Sequence, residues 1–568
     1  MKKAMPFRKK LLMICVIILA ATGLAYFFFA RFLRSPDLSK SLKKQLTDLV
    51  AEKSHGLYQL QIGSIVIDGA EVSARINDIS LSIDSAVLQQ LREQNGLPVS
   101  LYSFTLKSIT LNKADILAFI SAKTAVLNKV EVSGGSLTVT RILKGLPAQT
   151  AKSPKETIKE TMKTSVVGIS IDTLHADNID IVYTNLKHQS RTVKNVFLDL
   201  YQFSIDSNAL EDSNRFFLAK KLRLSIDSVR FPIADNFYHL GARKMTIAIS
   251  DSSITSIQDL YLKSPKNISL EKLAAGLSKQ QDVFDMKVKQ LMIGNLNLQA
   301  LLEDSSIQAD LLIINEPEIA VFRDKSKPQD LASKIGKFPH QMLLKLPFSI
   351  NLPDILVEGG NISYAERNEQ GDGIGKVTFN RLKGKIGPVL KGLPGPKKIQ
   401  ARFTALFMNT TGITAGFEFP ESNDGSFSAN AKISPFPVTI INAAALPLGN
   451  IQLKTGRVTQ LNFTIRGNNT AATGTTLLNY QDLTIDVMKT DDNGGRQKNK
   501  LMSMVANTFM LHENNLAGDK NKDAFTVTYQ RVPSKSFFNL IWKTVFYGVK
   551  ANTGVGAKGK DKDRARIH

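Results

Sequence analysis

The chain has 568 residues, 43% hydrophobic and 22% charged, an ordinary globular balance that excludes wholesale disorder. Its formal net charge is +23, but the basic residues are dispersed and no arginine–aromatic cluster is present, so nucleic acid is excluded as a partner. The single cysteine, Cys15, excludes a disulfide framework and leaves no thiolate metal site or cysteine nucleophile in the rest of the chain.

Residues 1–10, "MKKAMPFRKK", are a basic head expected on the cytoplasmic side. Residues 11–30, "LLMICVIILAATGLAYFFFA", are an uncharged apolar run, long enough as a helix to cross a hydrocarbon core of ~30 Å. Five positive charges ahead of that run predict that everything after Ala30 is exported. Ala20, Ala21 and Ala25 would suit a cleavage site, but the apolar run continues through Phe27, Phe28 and Phe29, so an uncleaved signal anchor is expected.

Residues 37–54 place Leu38, Leu42, Leu46 and Leu49 at helical spacing between lysines, which predicts an amphipathic helix just outside the membrane. From residue 57 the period changes to two, in "YQLQI", "ISLSID", "LTVTR", "IDIVY", "LRLSID" and "MTIAIS". That alternation predicts strands with one wet and one apolar face. Helical interruptions are expected around 85–94, 113–127, 266–280 and 328–336. Six segments share a pattern of apolar alternation, a Gly/Asn or small polar step, and renewed alternation: 64–76, 108–120, 129–142, 173–185, 290–302 and 354–366. Glycine and asparagine tolerate positive φ, so each segment reads as a hairpin turn. Residues 57–384 thus form a repeated-hairpin region. The Gly/Pro-rich stretch 384–398 is the expected internal boundary. A β region follows at 399–531 with a helix near 499–513, then an amphipathic helix at 533–550 and a disordered basic tail at 551–568.

The seven histidines are scattered, and no zinc, Walker or nucleophile-elbow motif occurs. No catalytic residue, metal or cofactor is expected, and the chain does not read as an enzyme. "LSIDS" at 81–85 and 224–228, and "FSIDS" at 203–207, offer Ser82/Asp84, Ser225/Asp227 and Ser204/Asp206. Each pair falls on one face of a strand, and three copies without a nearby histidine read as wet-face residues that lead into turns. In the terminal helix, Phe537, Phe538, Ile541, Trp542, Val545 and Phe546 make a broad apolar face. A cap on the last strands and a docking surface for a membrane or partner both remain open.

The anchor, the helix at 37–54, the stretch "YQLQIGSIVIDGAEVSARINDISLSID" and the Tyr-bearing units at 173–185 and 354–366 resemble the AsmA-like family. These are inner-membrane-anchored proteins related to the repeating-β-groove, bridge-like lipid-transfer proteins. The resemblance implies a mainly β fold: an N-terminal transmembrane helix, then an elongated, curved antiparallel sheet folded as a groove, a few short helices and a C-terminal amphipathic helix. It implies a single-pass inner-membrane protein, mostly periplasmic, that holds or transfers membrane phospholipid and supports outer-membrane biogenesis. Candidate lining residues are Ile79, Leu81 and Ile83; Ile179, Ile181 and Tyr183; and Leu222, Leu224 and Ile226. An assembly or scaffold factor for outer-membrane proteins, working with an outer-membrane or periplasmic protein partner, is the alternative.

Overall fold

The computed structural model describes residues 38–567, apart from 115–123, 144–167, 187, 189, 207–208, 210–211, 213–214, 217, 235–236, 251–252, 304–305, 393, 396–397, 491–495, 506–513, 517–523 and 555–563. The apolar run 11–30 lies outside the described residues, as do most of the expected helices at 113–127 and 499–513. Among the described residues no helix is long and apolar enough to cross a membrane.

The protein is mainly β. In chain order come α1 (Leu38–Lys53), β1 (Tyr58–Asp68), β2 (Ser73–Ile83), α2 (Ser85–Glu93), β3 (Ser100–Ala114) and β4 (Thr124–Arg141). Then follow β5 (Gly168–Thr184), β6 (Ser190–Ile205), β7 (Lys221–Ile233), β8 (Tyr238–Ala242), β9 (Lys244–Ile249) and β10 (Ser253–Lys263). Next are α3 (Leu270–Ala275), β11 (Asp282–Gly294), α4 (Leu298–Glu303), β12 (Ser306–Gln308), β13 (Leu311–Asp324) and α5 (Pro339–Leu344). The chain continues through β14 (Ser349–Leu352), β15 (Asp354–Arg367), β16 (Ile374–Gly387), β17 (Val389–Lys391), β18 (Lys398–Phe407) and β19 (Thr411–Pro420). It then forms β20 (Phe427–Ile433), β21 (Phe436–Pro437), α6 (Asn442–Gly449), β22 (Ile451–Gly467) and β23 (Ala471–Thr490). The last elements are β24 (Arg496–Lys498), α7 (Lys500–Val505), β25 (Phe525–Gln530), α8 (Phe537–Asn552) and β26 (Ala565–Ile567).

Two compact units divide the chain. The first takes residues up to 235 together with 240–259 and 294–305; the second takes 236–239, 260–293 and 306–568. Residues 384–398 carry the end of β16, all of β17 and the start of β18, inside the second unit.

In the first unit, β1 to β4 pair antiparallel in order. β5 joins β4 in parallel, and β6, β7, β9 and β10 continue antiparallel. The second unit contains the parallel pair β13–β15 and then antiparallel pairings through β16, β18, β19, β20, β22, β23, β25 and β26. The short strands β12, β14 and β17 form a separate three-stranded sheet in that unit.

Four sequence expectations change. The six repeated segments are not all hairpins: among the described residues only 64–76 turns between two strands, at residues 69–72, while 108–120 ends β3 and passes into 115–123, outside the described residues. "VSGGSLTV" runs inside β4, "HADNIDIV" inside β5 and "VEGGNISY" inside β15. Their Gly134, Asn178 and Gly359 have φ of +59°, +53° and +69°, so the left-handed residue serves a mid-strand bulge, which needs the same backbone freedom as a turn. In 290–302 the step at Asn295 leads from β11 towards α4. Residues 328–336 are irregular instead of helical. Finally, the terminal residues are not wholly a disordered tail, because β26 adds to β25 through Val527/Ile567 and Tyr529/Ala565.

Candidate functional site

The pairing registers of the first unit assemble one face of the sheet from apolar residues. One row runs Ala74, Leu111, Val130, Leu174, Leu200, Leu222 and Ile249 across successive strands from β2 to β9. The next runs Ile65, Ile76, Ile109, Val132, Ala176, Leu198, Leu224 and Ile247. A third carries Ile62, Ile79, Leu106, Gly135, Ile179, Val196, Ile226 and Met245, and a fourth Leu60, Leu81, Phe104, Leu137, Ile181, Val193 and Val229. Side chains directly opposite across a ladder share a face, so every row stands on the same side.

Seven of the nine candidate lining residues fall in these rows by direct register, and the other two lie on the same face two residues beyond them. Ile79, Ile179 and Ile226 share the third row, and Leu81 and Ile181 share the fourth. Leu222 and Leu224 occupy the first two rows, and Tyr183 sits two residues beyond Ile181 at the strand end. Ile83 ends β2 opposite Tyr58, two residues beyond Leu81 and therefore on the same side.

Simple alternation cannot keep this face apolar, because each of β1–β7 takes one three-residue stride instead of two. The strides are 62 to 65, 76 to 79, 106 to 109, 132 to 135, 176 to 179, 193 to 196 and 226 to 229. Asp78, Gly134, Asn178 and Asn195 have positive φ at these steps. The extra residue returns the next apolar side chain to the lining; β1 to β5 step together between the second and third rows, and β6 and β7 together between the third and fourth, with register shifts where β5 meets β6. Polar side chains at the steps bond across strands. Ser133 Oγ donates to Asp177 Oδ1 at 2.6 Å, and Asn195 Nδ2 donates to Asp227 Oδ2 at 2.9 Å. Lys194 Nζ (2.6 Å) and the Asn195 N–H (3.0 Å) both reach the Asp180 carboxylate and hold it below the usual carboxylate range.

The face is unevenly covered. On β1–β4, Ile62, Ile76, Ile79, Leu106, Ile109 and Val132 are buried, and Leu46 of α1 belongs to the same cluster. Of the four rows on β5–β9, the first and Val229 of the fourth are buried; Ala176, Ile179, Val196, Leu198, Leu224, Ile226 and Ile247 are half-buried. The lining contributed by β6 was missed in the sequence because the stride at Asn195 breaks the alternation of "SRTVKNVFLDLYQF". The signal was there, as apolar residues recurring with a displaced interval, which β4, β5 and β6 repeat at 127 to 130, 171 to 174 and 200 to 203.

The opposite face is polar. A row there reads Arg75, Thr110, Glu131, His175, Asp199 and Arg223. His175 Nδ1 lies 2.7 Å from Asp199 Oδ1, and the imidazole meets the Phe197 ring edge-on. The aspartates of the repeated Ser-x-Asp motif do three local jobs. Asp84 caps α2, accepting from the Ala86 and Val87 N–H groups at 2.9 and 3.1 Å. Its carboxyl is held below the usual range, chiefly by the Val87 N–H. Asp206 accepts from the Ala209 N–H, and Asp227 from Asn195.

In the second unit α8 presents two faces. Phe537, Leu540, Thr544, Val545, Tyr547, Gly548 and Asn552 are buried against β23 and β25. A Cβ on Gly548 would collide with the Thr476 side chain, so glycine lets helix and strand approach closely. Asn552 Nδ2 donates to the Thr476 carbonyl at 3.0 Å, and its Oδ1 accepts from the Leu478 N–H at 3.2 Å. Phe538 and Trp542 point outward, 65% and 58% exposed, while Ile541 and Phe546 are half-buried. The apolar face expected from sequence is therefore divided between a cap and an exposed pair.

Compared with protein-family models and with curated proteins, the sequence matches none.

Proposed function

We propose that this chain is an inner-membrane-anchored, largely periplasmic protein that holds or passes phospholipid along the apolar face of β1–β9, in support of outer-membrane biogenesis. The observation that carries this reading is the row pattern on β5–β9, where aliphatic side chains on adjacent strands line up in register and stay half-buried. An ordinary core would cover them. Burying an acyl chain against such a face gains about 0.8 kcal/mol per CH₂, enough to keep a lipid tail out of water while the headgroup stays wet. The polar opposite face suits a sheet with water on its other side. The groove implied by the family resemblance is the shape expected for this lining, and the apolar run 11–30 supplies the expected anchor.

Native mass spectrometry of the purified full chain tests the proposal. The expected result is co-purified phospholipid, lost when Leu224→Asp or Ile179→Asp puts a carboxylate into the lining while circular dichroism stays unchanged. A wild-type chain that is consistently lipid-free, or an Asp variant that keeps its full lipid load, would overturn it.

A further inference from the structure

The lining is polarised along its strands. On β5 it passes from buried Leu174, through half-buried Ala176, Ile179 and Ile181, to Tyr183 at the strand end. Tyr183 is flanked in register by Val139 of β4 and Arg191 of β6. Arg141 lies two residues beyond Val139, so it stands on the lining side of β4 as well. Two arginines on the lining side thus bracket one tyrosine, on strands two apart.

The Arg191 guanidinium lies 5.7 Å from the centre of the Phe231 ring, and Arg141 Nε donates to the Leu143 carbonyl at 3.2 Å. Both contacts order a guanidinium fork before any ligand arrives. The charge at this end has one sign: residues 100–103, 139–141, 182–184, 190–193 and 229–233, which end β3 to β7, contain Arg141, Arg191 and Arg230 and no Asp or Glu. Among these, Arg230 pairs with Thr192 and stands on the opposite face. The half-buried stretch from Ala176 to Ile181 spans five residue steps, roughly 17 Å at strand rise. One acyl layer of a bilayer is about 15 Å deep, half of a ~30 Å core. An amphiphile laid along β5 with its chain over this stretch brings its headgroup to Tyr183.

We infer that Arg141, Tyr183 and Arg191 form the headgroup rim of the lining and select an anionic phosphate-bearing lipid, held with its chains pointing towards Leu174. This rests on the lipid-holding reading and adds a ligand class and an orientation to it. Arginine is suited to this role because its planar fork matches phosphate oxygens in bidentate fashion.

The test incubates the purified full chain with vesicles of phosphatidylglycerol, phosphatidylcholine, or phosphatidylcholine doped with diacylglycerol, all of equal chain length. Bound lipid is then counted by native mass spectrometry. Wild-type chain is expected to take phosphatidylglycerol over diacylglycerol by about fivefold or more, as charge-assisted hydrogen bonds allow. The double variant Arg141→Glu/Arg191→Glu should lose that preference while keeping diacylglycerol uptake and its thermal midpoint. Arg141→Lys/Arg191→Lys should retain most of it. An equal preference in wild type and the double Glu variant overturns the rim assignment alone. Failure of wild type to take up any of the three lipids overturns the lipid-holding reading and the rim together. Inorganic phosphate that binds the rim as tightly as the lipid does would assign it to a free anion and overturn the lipid assignment.

Discussion

The lining of β5–β9 in the first unit and the sheet under α8 in the second begin from the same sequence rule, apolar residues on alternate positions, and end differently. In the second unit the apolar face is closed by a helix. Phe537 packs edge-on with Phe427 and Phe338 at centroid distances of 4.8 and 5.0 Å, and Arg531 lies 4.1 Å over the Phe338 ring. Arg531 also donates to Asn469 Oδ1 and to the Lys334 carbonyl at 3.0 and 2.8 Å, so its guanidinium is held in place over the ring. In the first unit the corresponding residues are aliphatic, and on β5–β9 those of the second and third rows remain half-buried. Alternation alone says that a face is apolar; the residues that let a second layer approach decide whether it is closed. Gly548 is such a residue, whereas the described helices bring only Leu46 of α1 and Leu298 and Leu301 of α4 into the cluster that holds the lining of the first unit.

The sharpest way to break the contrast is Gly548→Val, which drives a side chain into Thr476. It should cost the second unit about 2–4 kcal/mol, read as a lowered denaturant midpoint, and leave lipid retention by the first unit unchanged. A finer comparison lies within one strand. Leu200 is buried and Leu198, two residues away on the same face, is half-buried. Leu200→Ala should destabilise by about 2–4 kcal/mol and Leu198→Ala by about 1 kcal/mol, while only Leu198→Ala markedly reduces bound lipid. Equal stability losses would mean that the two rows are equally enclosed.

The smallest effect concerns His340, 4% exposed and stacked on Phe419 at 4.8 Å. Neither of its ring nitrogens meets a hydrogen-bond partner among the described residues. Burial holds the imidazole below its ordinary value of 6.5, so the unfolded chain takes up the proton more readily than the folded one. The stability tied to this group is complete above about pH 6.5 and is lost as the pH falls below it. His340→Phe keeps the ring stack and removes the buried nitrogens. It should flatten that acid limb and raise stability at pH 5.5 by about 1 kcal/mol, checked by urea unfolding at pH 7.5 and 5.5.

Much of this was legible in the sequence. The mainly β class, α1, α2 and α8 follow from periodicity, and seven of the nine candidate residues meet on one face by direct register because alternation is a local property. What alternation conceals is the displaced interval. "VSGGSLTV" and "HADNIDIV" carry residues that tolerate positive φ, and a hairpin and a mid-strand bulge ask for the same backbone. Only the pairing partners separate them, and partners are set by tertiary structure. The arginine rim was illegible for a related reason: Arg141 and Arg191 are 50 positions apart in sequence, and the parallel pairing of β4 with β5 brings them to the same strand end. The division of α8 depended on which side met β23, which the helix's own hydrophobicity does not encode.

The stride that β1–β5 share, and that β6 and β7 share one row further on, also works as a proofreading mark. On a regular strand, a one-residue slip presents the wrong side chains yet still permits continuous hydrogen bonding along its length. Within each group a slipped strand would also set its stride against a partner that takes it elsewhere, interrupting the ladder, as it is interrupted where β5 meets β6, as well as inverting the side chains. Mispairing is thereby penalised twice, in a sheet whose many similar strands would otherwise invite it. The same mark constrains how such a sheet can lengthen over evolutionary time. A copied strand fits only if it carries a three-residue stride at the matching position, whether over a left-handed residue, as at Asn178 in β5, or without one, as at Lys107 and Ser108 in β3, so the heritable module is a strand together with its stride.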